Sequence, residues 1–240
     1  MQRLDKFLAE AGVDSRRKLR DMVRSGRVTV NGAAVLAPEQ KIDEANDRIC
    51  VDGRRIGRGD RRIVLMLHKP AGCVTAARDD RYPTVMEHLP PQYAGLMPIG
   101  RLDKDTEGLL LFTNDGDLAH RLLAPKRRNE KTYYAEHTGS TDGDDVAAFR
   151  AGCVLRDGTQ CLPAILKPLG EGKSLVRVCE GKYHQVRRML ASRGKTVTYL
   201  RRIAEGGVEL GTLPLGMTRE LSEAEIEALE AVNFDENFSE

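Results

Sequence analysis

The chain has no tryptophan, and aromatic residues make up only 5% of its 240 positions. No window approaches 18 uncharged apolar residues, which excludes an apolar helix long enough to cross a bilayer. The opening Met1-Gln2-Arg3-Leu4-Asp5-Lys6 lacks the apolar stretch of a signal peptide, so a cytoplasmic location is expected. Cys50, Cys73, Cys153, Cys161 and Cys179 are odd in number and widely spaced, without a Cys-x-x-Cys or a nearby His pair. Reduced thiols and no metal site are therefore expected. Net charge is small too, at +2, but it is uneven. Residues 1–62 carry +5 and residues 63–221 carry +4, while the last 19 residues hold seven acids and no base. A body basic in both parts suits a polyanionic partner.

What the sequence does have is Gly100-Arg101-Leu102-Asp103-Lys104-Asp105-Thr106-Glu107-Gly108, running into the apolar Leu109-Leu110-Leu111-Phe112-Thr113. This reads as a carboxylate mounted at a sheet edge. The two glycines permit a tight backbone, the following strand anchors the loop, and Arg101 is placed to pair with Asp103 and keep it ionised. Two other readings share the spacing. One is an ordinary Asp/Gly turn; the other is an aspartyl-phosphate phosphatase, which fits poorly because an adjacent arginine would oppose a bound cation.

The first 55 residues read as two helices and a hairpin. Leu4, Phe7, Leu8 and Ala11 keep helical spacing up to Gly12. A second helix opens at Asp14 or Ser15, buries Leu19, Met22 and Val23, and stops at Gly26. Arg16, Arg20 and Arg24 line its other face beside Arg17 and Lys18. Val28-Thr29-Val30 and Ala34-Val35-Leu36 flank an Asn31-Gly32 turn. On the strength of Arg3-Leu4-Asp5-Lys6-Phe7-Leu8, Ser15-Arg16-Arg17-Lys18-Leu19 and Gly26-Arg27-Val28-Thr29-Val30-Asn31-Gly32, the segment resembles an S4 domain, a small RNA-binding module. The resemblance implies that Arg16, Arg17, Lys18, Arg20 and Arg24 contact RNA phosphates. The glycine-rich, basic stretch from Gly53 to Arg62 reads as a joint, with the linker at 56–62.

From Ile63 to about residue 230, strands dominate. Helices are expected over Thr84–Leu89, Asp115–Leu123, Val146–Ala151 and His184–Arg193, and Ser222-Glu223-Ala224-Glu225 is a capping box opening a last acidic helix. Without a strand–helix repeat, this predicts an α+β domain with a mixed or antiparallel sheet. Residues 231–240 read as an acidic tail.

Three ordered segments of this region resemble the motifs of the pseudouridine synthases: the Asp103 loop, Lys131-Thr132-Tyr133, and Glu180-Gly181-Lys182-Tyr183-His184-Gln185-Val186-Arg187-Arg188-Met189-Leu190. With the S4 segment in front, the resemblance is to the RsuA type and extends from residue 3 to about 226. It implies isomerisation of uridine in RNA to pseudouridine without a cofactor. Asp103 would be the reacting carboxylate, Arg187 its ion-pair partner and Arg101 a group ordering the loop. Tyr133 would stack on the extruded base. Leu190 would wall the pocket, with Lys182, His184 and Gln185 as RNA or loop contacts rather than catalysts. Lys126, Arg127 and Arg128 are candidates for the flanking RNA backbone. Tyr183-His184-Gln185-Val186 and Tyr82-Pro83-Thr84-Val85 resemble the member acting on 16S rRNA, so the expected partner is small-subunit rRNA in an assembly intermediate, met by a monomer. The alternatives are a 23S rRNA synthase and a non-catalytic S4-type RNA-binding or ribosome-assembly protein.

Overall fold

The computed structural model describes residues 1–11, 13–44, 46–56, 62–124 and 127–231. Lys126, most of the expected linker and all but the first residue of the expected tail lie outside them, as does the Arg16 side chain. Two compact units are present. One comprises Met1–Ile63 with Pro90–Met97 and Thr113–Gly116, and the other comprises Val64–Leu89, Pro98–Phe112 and the chain from Asp117. The short Thr113–Gly116 segment joins the first unit through side chains. Asn114 Oδ1 accepts from the Ile63 amide at 3.0 Å, Thr113 Oγ1 donates to the Ile63 carbonyl at 2.7 Å, and Arg62 lies 3.2 Å from Asp115.

The first unit holds β1 (Gln2–Arg3), α1 (Leu4–Glu10), α2 (Arg16–Arg24), β2 (Val28–Val30), β3 (Ala33–Ala34), β4 (Lys41–Ile42), β5 (Ile49–Val51) and β6 (Arg54–Ile56). Leu4, Phe7 and Leu8 of α1 pack with Leu19 and Val23 of α2 over Val28, Ile42 and Ile49, leaving Arg17, Arg20 and Arg24 outside. The hairpin around Asn31 is shorter than expected, because Leu36 is exposed and only Ala33 and Ala34 pair with β2. The expected joint begins later than its composition suggested. Arg54–Ile56 is a strand, turned back onto β5 by Asp52 and Gly53 at φ of 50° and 78°. Arg27 pins that turn from Nε to Asp52 Oδ1 at 2.9 Å.

The second unit continues with β7 (Val64–Lys69), β8 (Met97–Ile99), β9 (Glu107–Thr113), α3 (Gly116–Leu123), β10 (Lys131–His137), α4 (Gly143–Ala151), β11 (Ile165–Gly170), β12 (Lys173–Val178), α5 (Gln185–Ser192), β13 (Val197–Glu205), β14 (Val208–Glu209), β15 (Thr218–Glu220) and α6 (Glu223–Ala231). The sheet order is β11-β12-β10-β13-β9-β7-β15, with β14 on β13 and β8 on β9. β12 pairs antiparallel with β10 and β11, β13 with β10 and β14, and β15 with β7, while β13 runs parallel to β9, so the sheet is mixed and the domain α+β. Helix α4 starts three residues earlier than expected because Asp142 Oδ1 accepts from the Asp145 amide at 2.9 Å, completing a capping box ahead of Gly143. The segment Val85–His88 is a single 3-10 turn capped by Thr84 rather than a full helix.

Two apolar clusters fasten the helices. Phe149 of α4 and Val186, Met189 and Leu190 of α5 share a core with Val176, Val178 and Leu200 of the sheet. Leu118 and Leu122 of α3 and Leu229 of α6 pack on Val64, Met66, Leu109 and Leu111. At the start of α6, Arg219 grips Glu225 at 2.6 and 2.9 Å and holds that carboxyl down to about 2.

Candidate active site

Asp103 sits in the connection from β8 to β9, and this loop is held from several directions. Thr75 Oγ1 donates to the Leu102 carbonyl at 2.9 Å and lies 3.1 Å from the Leu102 amide, which donates to it. The Gly72 amide donates to the Lys104 carbonyl at 2.8 Å. From beneath, Lys69, fully buried, donates from Nζ to the carbonyls of Thr106 and Pro70 at 2.9 Å and Lys104 at 3.3 Å. Burial lowers the Lys69 pKa, opposed by the nearby acids. Lys104 caps the Tyr82 ring at 3.7 Å, fixing the loop's outer edge.

Glycine is required at Gly108, the third residue after Asp105. It lies at φ 110° where β9 meets β13, and a Cβ there would fall 2.2 Å from the Arg202 carbonyl oxygen. The close approach of these parallel strands brings the Asp103 loop next to Arg202.

Asp103 opens onto a cavity of about 800 Å³. Tyr133, Lys131 and Arg202 line it on one side, Val178 and Leu200 supply apolar wall, and Arg101, Lys182, His184 and Gln185 lie around it. The Asp103 side chain keeps 28% of its surface exposed, so it is half-buried yet reachable. Burial raises the Tyr133 phenol above its ordinary value, with the Arg202 guanidinium acting in the opposite direction. The phenol is therefore neutral near pH 7.

Several expectations about partners are corrected by the geometry. Arg187 does not salt-bridge Asp103: its Nη2 lies 3.1 Å from Asp105 Oδ2 and donates to the Asp105 carbonyl at 3.3 Å, while Nη1 reaches the Val197 carbonyl at 3.4 Å. It braces the loop from the side, because α5 aims it at the turn after Asp103. Arg101 lines the cavity, is exposed, and makes no ion pair with Asp103 among the described residues. Leu190 is fully buried in the core one turn further along α5, and Leu200 and Val178 take the wall position expected of it. Gln185 and Lys182 line the cavity, but their polar groups bind each other and Glu180. Gln185 accepts from the Lys182 amide at 2.9 Å and donates to Glu180 at 2.7 Å, and the Lys182 ammonium also holds Glu180. Arg127 donates to the last carbonyls of α6, at Leu229 and Glu230, where a helix end attracts a cation. Arg128 is exposed.

The group that does meet Asp103 is His184, with Nε2 3.6 Å from Oδ1. Residues without motif status complete the floor. Arg202 is 1% exposed, donates from Nε to the Leu109 carbonyl at 2.7 Å, and has Nη2 3.1 Å from Glu205 Oε2 without hydrogen-bond alignment. Asn129 Nδ2 donates to Glu205 Oε1 at 3.1 Å, and Lys131 donates to the Asn129 carbonyl at 2.9 Å. A buried cation is stable only with such a partner set.

On α2, Arg17, Lys18, Arg20 and Arg24 are exposed. Lys18 reaches Asp14 at 3.3 Å, and Arg20 lies 3.9 Å from Asp5, whose carboxyl Arg3 holds below the usual range. Arg17 and Arg24 have no ion pair among the described residues, and they present one cationic face. No helix of the described residues is long and apolar enough to cross a membrane.

A family model described as RNA pseudouridylate synthase matches residues 63–192, and a second, the S4 domain, matches residues 2–49. An RNA pseudouridine synthase of Bacillus subtilis, YtzG, is 38% identical, covering 95% of this chain and 98% of its own. Ribosomal small subunit pseudouridine synthase A of Pseudomonas aeruginosa is 38% identical over 93% of this chain and 98% of its own. Ribosomal large subunit pseudouridine synthase B of Bacillus subtilis is 36% identical over 97% of each. A crystal structure of a pseudouridylate synthase superposes with a TM-score of 0.70 at 36% identity, covering 95% of this chain and all of that one. These matches displace both the phosphatase and the non-catalytic readings of the Asp103 loop. By these matches the chain belongs to the RNA pseudouridylate synthases, with an S4 domain preceding the synthase region in the sequence.

Proposed function

We propose that the enzyme isomerises a uridine of 16S rRNA, with Asp103 as the reacting carboxylate and no cofactor. The reaction breaks the N1–C1′ bond, turns the uracil, and joins C5 to C1′; the C5 proton leaves to solvent and N1 takes one up. Asp103 attacks C1′ or removes a sugar proton to form a glycal, and both routes start from an ionised carboxylate. The observation that carries this reading is the placement of Asp103, half exposed, at a cavity of about 800 Å³ with Tyr133 and an apolar wall. Such a cavity suits a uridine taken out of its stack, at a cost of about a few kcal/mol, least in a loop or bulge. Tyr133 supplies a ring for the base and a hydroxyl that stays protonated.

Arg17 and Arg24 of α2 serve as phosphate contacts, which position RNA without reading sequence. The partner is rRNA within an assembling small subunit, engaged by a cytoplasmic monomer. The 16S preference is supported by the small-subunit relatives of Pseudomonas aeruginosa and Pasteurella multocida, each 38% identical. The large-subunit relative, at 36%, supports 23S rRNA as the second reading. Carbodiimide mapping of pseudouridine in both rRNAs of a deletion strain decides between them. The expected result is one pseudouridine missing from 16S rRNA, restored by the wild-type gene but not by Asp103→Asn. A loss confined to 23S rRNA would transfer the target, and no loss from either would overturn rRNA as substrate.

A further inference from the structure

Tyr183 and His184 form a two-ring stack, with centroids 3.9 Å apart and planes 17° from parallel. His184 adopts the left-handed conformation, φ 47° and ψ 36°, immediately before α5. That conformation is unfavourable for a residue with a Cβ and turns the imidazole back toward the loop, where Nε2 lies 3.6 Å from Asp103 Oδ1. Tyr183 is 76% exposed even though one face of its ring is covered by His184, so the other face is the one in solvent. Its hydroxyl has no hydrogen-bond partner among the described residues, and Arg188 reaches only its carbonyl, at 3.4 Å. The ring thus contributes little to the fold. It lies stacked on His184, the imidazole that lines the cavity and meets Asp103.

From this geometry we infer that the outer face of Tyr183 stacks on the base next to the target uridine, a subsite for one flanking nucleotide. The inference rests on the RNA-isomerase reading above. Two short steps, 3.6 Å from Asp103 Oδ1 to His184 Nε2 and 3.9 Å between the His184 and Tyr183 ring centroids, link that face to the carboxylate. Unpaired bases in RNA are held by aromatic rings in this way, tolerantly of sequence and with a preference for the larger ring systems. His184 acts here as a positioning residue that backs the platform, and purines next to the target bind more tightly than pyrimidines.

A substrate–enzyme cycle tests this on a synthetic RNA hairpin that carries the mapped uridine labelled with tritium at C5. The hairpin is made intact and with an abasic site at either neighbouring position, and is assayed with wild type, Tyr183→Ala and Tyr183→Phe. Tyr183→Ala is expected to lose about tenfold in kcat/KM on intact RNA, mostly through KM, and Tyr183→Phe to stay within about twofold of wild type. On the hairpin lacking the stacked base, wild type and Tyr183→Ala should be equal. Equal activity of Tyr183→Ala and wild type on intact RNA would overturn the inference, as would a tenfold loss that persists on both abasic hairpins. Wild-type enzyme inactive on all three RNAs would instead overturn the reading of function on which the inference rests.

Discussion

Lys69 Nζ donates to the Thr106 carbonyl at 2.9 Å across 37 residues of sequence, fully buried beneath the turn that carries Asp103. One ammonium collects three carbonyls of two adjoining turns, so the loop's shape depends on a charge that never meets solvent. Removing it takes a donor from each of those carbonyls in a desolvated site. Lys69→Met should lower stability by about 2–3 kcal/mol, read by urea unfolding, and reduce kcat more than tenfold with little change in KM. A variant with normal kcat would show that Asp103 is held without it.

Gly108 makes a sharper prediction. Because a Cβ there would lie 2.2 Å from the Arg202 carbonyl and φ is 110°, Gly108→Ala must part β9 from β13. A loss of about 3 kcal/mol or more is expected, with faster amide exchange along both strands. The neighbouring Gly116, with open space around its Cβ position, should accept alanine with a change of under about 1 kcal/mol.

The contrast between these residues shows what could be read from sequence. The Asp103 loop, the Asn31-Gly32 turn and the Ser222 capping box are local patterns, set by residues within a few positions of one another. The mixed sheet was legible as a class, from strands without a strand–helix repeat. Arg202 and Lys69 were not legible as site residues. Each acts through strand register, Arg202 across 93 residues to Leu109 and Lys69 across 37 to Thr106. The same limit explains Arg187, whose motif position says that it faces the loop but not which carboxylate it meets. Leu190 went to the core because α5 turns that side inward, a rotation fixed by packing against Met189, Val186 and the sheet. The Asp52-Gly53 hairpin was locally readable, but the basic composition around it gave the appearance of a linker.

Tyr133 bears on pH. Burial raises its folded-state pKa above that of an ordinary tyrosine, so the phenol stays protonated across the neutral range. The rate should therefore show no falling limb from this residue between pH 6 and 9, and Tyr133→Phe should lower the profile without changing its shape in that range. A falling limb near pH 8 that vanishes in Tyr133→Phe would show that the phenol ionises during turnover.

For the S4 domain, the expectation concerns salt. If Arg17 and Arg24 each neutralise a phosphate, Arg17→Ala and Arg24→Ala should each reduce the slope of log K against log salt by about 1, whatever the RNA sequence. The measurement is RNA binding by filter retention at several salt concentrations. An unchanged slope would remove α2 from the RNA interface.

The central claim is that Asp103 carries the isomerisation. It is tested most directly by tritium release from C5-labelled rRNA, comparing wild type with Asp103→Asn on 16S and 23S rRNA, each free and bound to ribosomal proteins. Asparagine keeps the shape of the side chain and removes its charge. The account predicts release from 16S rRNA by wild type, with a loss of about 10³-fold or more in the variant while RNA binding is retained. Equal release by both proteins would contradict it.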